Sequence, residues 1–152
     1  MLPFHILRSS RIDRLPRGSF VLAAANLPAP IFIGIGFEGQ PWAMFREDEA
    51  WCFDSLDHFG ADGLWVDDVT FEVEPTSYLS LSSQRAPGGS LIFAKGDIAI
   101  ALPANFGTIP GRIGQYNHHD GDRDCAFTSW RAVKVTDNET YTLWESGNTA
   151  ER

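Results

Sequence analysis

The feature that most constrains the fold is a succession of short apolar or alternating runs, separated by Gly, Pro, Asn and Asp. The run "IFIGIGFE" at residues 31–38 places Ile31 and Ile33 on one face and Gly34 and Gly36 on the other. Alternation with a period of two is typical of strands, and paired glycines let a neighbouring group or a ligand approach the backbone. The sequence therefore predicts an all-β, mostly antiparallel domain of about ten short strands, arranged as a sandwich or a barrel.

The clearest single strand is predicted for "LWVDDVTFEVE" at residues 64–74. Trp65 and Phe71 fall on one face of this run, and Glu72 and Glu74 fall on the other. Such a pattern indicates a strand with one buried and one solvated face. Two hairpins are predicted further along, one in "SLIFAKGDIAIALP" and one around the "TDNE" turn of "FTSWRAVKVTDNETYTLWES".

One stretch also has a helical pattern. In "PWAMFREDEAWCFDSLDHFG", Phe53, Leu56 and Phe59 recur at helical spacing, and acidic residues precede them. Acidic residues favour the first turn of a helix. We therefore predict at most one short helix, near residues 47–58, and the alternative is a hairpin that pairs "WAMF" with "AWCF".

The chain is long enough for one domain with a substantial core. A domain of 152 residues buries about two thirds of the surface that its unfolded chain exposes. We expect a single domain over residues 1–152, with loosely held ends at residues 1–17 and 147–152. Of the five tryptophans, we expect at least three in the core and Trp144 to be the most exposed.

The cysteines and the N-terminal residues favour a cytoplasmic protein. Cys52 and Cys125 are too few for a disulfide framework, and Arg8 and Arg11 interrupt any apolar core of a signal peptide. No run reaches the roughly 18 apolar residues that a membrane helix needs. We expect reduced thiols and no membrane partner, and the sequence carries no signal for an oligomeric state.

The negative charge is concentrated in the middle of the chain. The net charge is -8, and residues 38–74 carry eleven carboxylates against a single arginine. Affinity for nucleic acid depends largely on cations that neutralise phosphates. We therefore expect no nucleic-acid partner.

The stretch "QYNHHDGDRDCAF" contains residue types that bind metals. Its candidate ligands are His118, His119, Asp120 and Asp122. Adjacent histidines on an extended chain point to opposite faces, and the acidic residues do not follow the spacing of a calcium loop. We therefore predict a solvated turn and no cofactor, with a divalent metal at these four residues as the alternative.

Two functions remain compatible with the sequence, and whether the protein is an enzyme stays open. The first is a binding module for a partner protein or small ligand, because a strongly acidic surface suits a basic partner. The candidate binding residues are Asp67, Asp68, Arg112, Arg123 and Trp144. The second is a metal-assisted hydrolase or lyase that uses the His118–Cys125 loop.

The metal alternative makes a direct prediction. We expect protein purified without chelator to lack stoichiometric metal, and a His118→Ala/His119→Ala double variant to be equally stable. Elemental mass spectrometry on both proteins is the measurement. Near-stoichiometric metal that disappears in the variant would instead establish a metal site.

Overall fold

A computed structural model describes residues 1–36, 39–82, 84–94, 97–102, 105–109, 112–113 and 125–146. Short strands dominate these residues, and single 3-10 turns lie at Phe4–Ile6, Ile12–Arg14, Leu56–His58 and Pro75–Ser77. The strands are β1 (Arg8–Arg11), β2 (Phe20–Ala24), β3 (Ile31–Ile35), β4 (Pro41–Glu47), β5 (Ala50–Ser55), β6 (Asp62–Val66), β7 (Thr70–Val73), β8 (Tyr78–Ser80), β9 (Leu91–Ala94), β10 (Asp97–Leu102), β11 (Asn105–Thr108), β12 (Arg112–Ile113), β13 (Cys125–Phe127), β14 (Trp130–Val135) and β15 (Thr140–Glu145).

The strands form two sheets. The larger has eleven strands in the order β1-β6-β2-β3-β11-β10-β9-β13-β8, with β4 and β5 attached at β3. The smaller has the order β12-β7-β14-β15. Among the described strands every pairing is antiparallel except that of β7 with β12.

The predicted all-β, mostly antiparallel fold is confirmed, and its form is a sandwich. The described strands of the larger sheet do not close into a barrel, and more strands are present than the ten or so expected. Both predicted hairpins form, as β9 with β10 and β14 with β15. No helix within the described ranges is long and apolar enough to cross a membrane.

The first core lies between the two sheets and is centred on Phe32 of β3. The Phe32 ring centre lies 4.7 Å from that of Phe20, 5.7 Å from Trp130 and 5.9 Å from Trp144. Phe20 belongs to the larger sheet, whereas both tryptophans belong to the smaller. Aromatic pairs at such separations contribute about 0.5–1.5 kcal/mol beyond the area that they bury. This cluster therefore holds one sheet against the other.

The second core covers the opposite face of the larger sheet. Ile31 and Ile33 are fully buried there, which confirms the alternation predicted for this strand. Ile12 and Leu15 from the N-terminal segment pack against them. Residues 1–17, which we expected to be loosely held, thus contribute β1 and part of this core. Residues 147–152 lie outside the described residues.

The helix predicted near residues 47–58 is wrong, apart from the 3-10 turn at Leu56–His58. β4 and β5 instead form a hairpin whose strands are joined by a two-residue turn. Asp48 and Glu49 connect the strands with φ angles of 52° and 65°. Positive φ at both central residues is the turn geometry that matches the twist of paired strands. The hairpin prevails because it sends Trp42 and Met44 of β4 and Trp51 of β5 into the first core.

Residues 64–74 form two strands, not one. The chain turns at Asp67 and Asp68, and Asp68 has a φ of 50°, which aspartate tolerates better than most residues. β6 remains in the larger sheet, whereas β7 enters the smaller. Trp65 therefore lies in the second core and Phe71 in the first, although a single strand would place both on one face.

Two glycines are covered by indole rings. A Cβ at Gly36 would overlap the ring of Trp42, and one at Gly89 would overlap Trp51. At Gly36 a side chain from the neighbouring strand therefore makes the close approach that the sequence predicts. Gly89 also has a φ of 83°, which disfavours any other residue. Its neighbour Gly88 has no atom within 4 Å of its Cβ position.

These two adjacent glycines provide a test of the packing. We expect Gly89→Ala to lower the free energy of unfolding by about 2–4 kcal/mol, because it combines overlap with backbone strain. Gly88→Ala should change it by less than about 0.5 kcal/mol. Urea denaturation followed by tryptophan fluorescence measures both. Equal transition midpoints in the two variants would contradict the packing of Trp51 on Gly89.

Candidate functional site

Most of the predicted metal loop lies outside the described residues. His118, His119, Asp120, Asp122 and Arg123 lie outside the described residues. Only the last residue of the loop, the fully buried Cys125 in β13, is described. The backbone of Arg112 lies in β12, but its side chain is likewise outside the description.

Elsewhere in the described ranges, no three His, Cys, Asp or Glu side chains are close enough together to hold a metal ion. His58 makes a local pair in which its Nδ1 lies 2.8 Å from Oδ1 of Asp54. Both side chains are largely exposed. This pair is a surface contact between residues four positions apart in the sequence.

Asp67 lies at the corner where the chain passes from one sheet to the other, and two cations pair with it. Its Oδ1 accepts a hydrogen bond from Nζ of Lys134 at 3.0 Å, and its Oδ2 lies 3.1 Å from Nη2 of Arg8. Lys134 also donates to the carbonyl oxygen of Asp67 at 2.7 Å. The Arg8 guanidinium lies 5.5 Å from the ring centre of Trp65. Asp67 thus joins β1 and β14 to the corner.

These contacts also govern the pKa of Asp67. Burial raises the pKa, but the hydrogen bond from Lys134 and the charges of Lys134 and Arg8 outweigh it, so the pKa lies below its ordinary value. A carboxylate with a lowered pKa stabilises the fold above its unfolded pKa of about 3.9. That contribution is lost as the pH falls through the folded pKa.

Trp144 is partly buried, and the other four tryptophans are buried. The prediction that at least three tryptophans lie in the core is therefore confirmed. Trp144, predicted as the likeliest to be exposed, is the least buried of the five but still packs on the first core. Trp144 packs on Trp130 with ring centres 4.8 Å apart.

A groove of about 420 Å³ opens at one end of the smaller sheet. Its walls are the end of β7, the start of β14 and the end of β15. The lining residues are Glu72, Val73, Glu74, Ser129, Trp130, Arg131, Glu145 and Ser146. They include three carboxylates and one guanidinium, so this groove, which we call the acidic groove, carries net negative charge.

Arg131 lies in the middle of the acidic groove. In the strand register it is opposite Glu72 on one side and Glu145 on the other. Its Nε donates to Oε1 of Glu72 at 2.6 Å, and its Nη1 lies 3.9 Å from Oε1 of Glu145. Glu74 accepts a hydrogen bond from the Thr76 hydroxyl at 3.2 Å. One guanidinium thus faces three carboxylates, with a hydrogen bond to Glu72 and a longer ion pair to Glu145.

A second cavity of about 200 Å³, which we call the indole cavity, shares Ser146 with the acidic groove. Its lining residues are Arg46, Glu49, Trp51, Pro87, Gly88, Gly89, Ser90, Thr128, Trp144 and Ser146. Ser146 separates the two spaces. Its N–H donates to the carbonyl oxygen of Trp130 at 2.9 Å, and its Oγ accepts from the N–H of Trp130 at 2.7 Å.

The acidic groove was not predicted from the sequence. Glu72 and Glu74 were predicted on a solvated strand face, but no local pattern in the sequence brings Arg131 or Glu145 beside them. Pairing across β7, β14 and β15 joins residues 59 positions apart, such as Arg131 and Glu72. The solvated face of the predicted strand was the one usable signal.

Comparison with known proteins gives a family. A sequence model of the family described as "Uncharacterised protein y4lG" matches residues 9–152. The chain belongs to the y4lG family. The matched region includes every residue that lines the acidic groove and the indole cavity of this y4lG-family chain. No curated protein and no solved structure matches it.

The Asp67 corner yields a prediction for stability. We expect Asp67→Asn and Lys134→Met to couple by about 1 kcal/mol in a double-mutant cycle at neutral pH. The coupling should decline as the pH drops below about 4, because protonation of Asp67 removes its charge. Urea denaturation of the four proteins across this pH range is the measurement.

The exposed carboxylate Asp57 provides a matched control. Asp57→Asn removes the same charge at a distance from Lys134, so this pair should be additive at every pH. If Asp67→Asn and Lys134→Met prove additive at neutral pH, the contact between Asp67 and Lys134 does not contribute to the free energy of unfolding.

Proposed function

We propose that the protein is a binding domain that accepts a cationic group, carried by a partner protein or a small ligand, in the acidic groove. The observation that carries this proposal is the cluster of Glu72, Glu74 and Glu145 around the single Arg131 in a groove of about 420 Å³. The volume lies within the range of about 300–1,000 Å³ that is usual for ligand sites.

The charges of the groove favour a cation. Three carboxylates against the one guanidinium of Arg131 leave the residues that line the groove with two net negative charges. Two opposite charges 4 Å apart attract by about 4 kcal/mol at the effective dielectric of a protein surface, before desolvation is subtracted. An ammonium or guanidinium group that enters the groove gains part of this attraction. An anion would be repelled.

The charge of the whole chain supports the same class of partner. A net charge of -8 attracts basic molecules over several ångströms and repels phosphate. Such a field increases the association rate and selects among partners more than it increases affinity. A lysine or arginine side chain on a partner protein combines a cation with a stem long enough to reach into the groove.

A charge-neutralising variant tests this function. We expect tetralysine to bind the wild-type protein, and Glu74→Gln/Glu145→Gln to weaken binding about five- to tenfold. The affinity should also fall with added salt, because exposed charges are screened. Isothermal titration calorimetry at two salt concentrations measures both effects.

A control with equal charge separates local from general attraction. Asp57→Asn/Asp137→Asn changes the net charge by the same amount at exposed positions outside the groove. It should reduce affinity by less than twofold, a small share of the loss in the groove variant. Equal losses in the two double variants would mean that tetralysine senses the overall charge, and the groove would then not be the site.

A further inference from the structure

Ser90 carries a buried hydroxyl that has no partner within the described part of the chain. The residue is 2% exposed, and its hydroxyl makes no hydrogen bond to any residue that the structure describes. Its backbone is satisfied, since the N–H donates to the carbonyl oxygen of Pro87 at 3.0 Å and the carbonyl accepts from Ala101 at 2.9 Å. A buried hydroxyl without a partner is costly and uncommon in native proteins. Ser90 lines the indole cavity, so a molecule in that cavity can supply the missing partner.

The other walls of the indole cavity suit a flat ring. The ring centres of Trp51 and Trp144 lie 5.6 Å apart with their planes at 84°. Pro87, Gly88 and Gly89 form a further wall with little side chain. A volume of about 200 Å³ is below the usual range for drug-sized ligands, which begins near 300 Å³. It is enough for one aromatic side chain.

We infer that the indole cavity is a subsite for a phenol ring, such as a tyrosine side chain of the bound partner. The ring contacts Trp51 and Trp144, whose faces and edges attract a third aromatic ring. The phenol hydroxyl forms a hydrogen bond with Ser90, which turns about its single side-chain dihedral to meet it. An unsubstituted phenyl ring contacts the two tryptophans but cannot form the hydrogen bond with Ser90.

The position of this subsite narrows the class of partner. Ser146 is the shared wall between the indole cavity and the acidic groove. A partner segment with a lysine or arginine close to a tyrosine fills both spaces at once. This step rests on the proposed function, whereas the phenol subsite itself does not.

Small aromatic probes test the subsite alone. We expect p-cresol to bind about three- to tenfold more tightly than toluene, because only p-cresol pairs with Ser90. Both should shift the indole N–H resonances of Trp51 and Trp144 in ¹⁵N-labelled protein. In Ser90→Ala the two affinities should become equal. Ser90→Ala removes an unpaired hydroxyl, so its melting temperature should not fall.

A second variant fills the cavity without touching Ser90. Gly88 lines the cavity and has open space at its Cβ position, so Gly88→Leu should weaken both probes while the protein stays folded. Failure of p-cresol to bind overturns the inference. Equal affinity of the two probes for the wild type, or a preference for p-cresol that survives in Ser90→Ala, overturns it as well.

The two proposals fail separately. Glu74→Gln/Glu145→Gln should retain p-cresol binding, and Ser90→Ala should retain tetralysine binding. If p-cresol binds as expected and tetralysine does not, the acidic groove is wrong and the phenol subsite stands. If tetralysine binds and p-cresol does not, the phenol subsite is wrong and the groove stands.

Discussion

The contact between the two sheets through the rings around Phe32 is the constraint on which the rest of the structure depends. Phe32 is 1% exposed and sits near the middle of β3, which is buried on both faces. Both candidate binding spaces border this cluster, because Trp130 lines the acidic groove and Trp144 lines the indole cavity. Each space therefore has at least one wall that belongs to the packed core between the sheets. Binding sites that rest on packed side chains hold their geometry better than sites on loops.

The charged groups of the protein serve two different purposes. Asp67 pairs with Lys134 and Arg8 and fixes the corner between the sheets. In the acidic groove, three carboxylates share one guanidinium. A charge that is matched by its neighbours contributes to stability, whereas a surplus of one sign gives a field that acts on other molecules. The contacts of Asp67 with Arg8 and Lys134 thus give it a structural role, whereas its role in binding stays a prediction.

The elements that were predicted correctly are those that depend on residues close together in the sequence. Alternation in "IFIGIGFE" and the turn residues of "TDNE" are local signals, and both the buried strand and the hairpin formed as expected. The helix near residues 47–58 was wrong because Phe53, Leu56 and Phe59 fit a helical period by coincidence of a strand followed by a 3-10 turn. The pairing of strands that are far apart in the sequence leaves no local pattern. The acidic groove is formed by such pairing, between β7, β14 and β15.

The irregular step in β15 adds an apolar side chain to the first core. Ala132 pairs with Trp144 while Val133 pairs with Thr142, so Leu143 is an extra residue in the ladder. Leu143 and Trp144 both pack on the first core, and the next residue, Glu145, faces Arg131. Without Leu143, Thr142 and Trp144 would be consecutive residues opposite Val133 and Ala132, and the pairing of the two strands would be regular. The bulge thus lets β15 place two consecutive apolar side chains on the first core while Glu145 stays opposite Arg131 at the wall of the acidic groove.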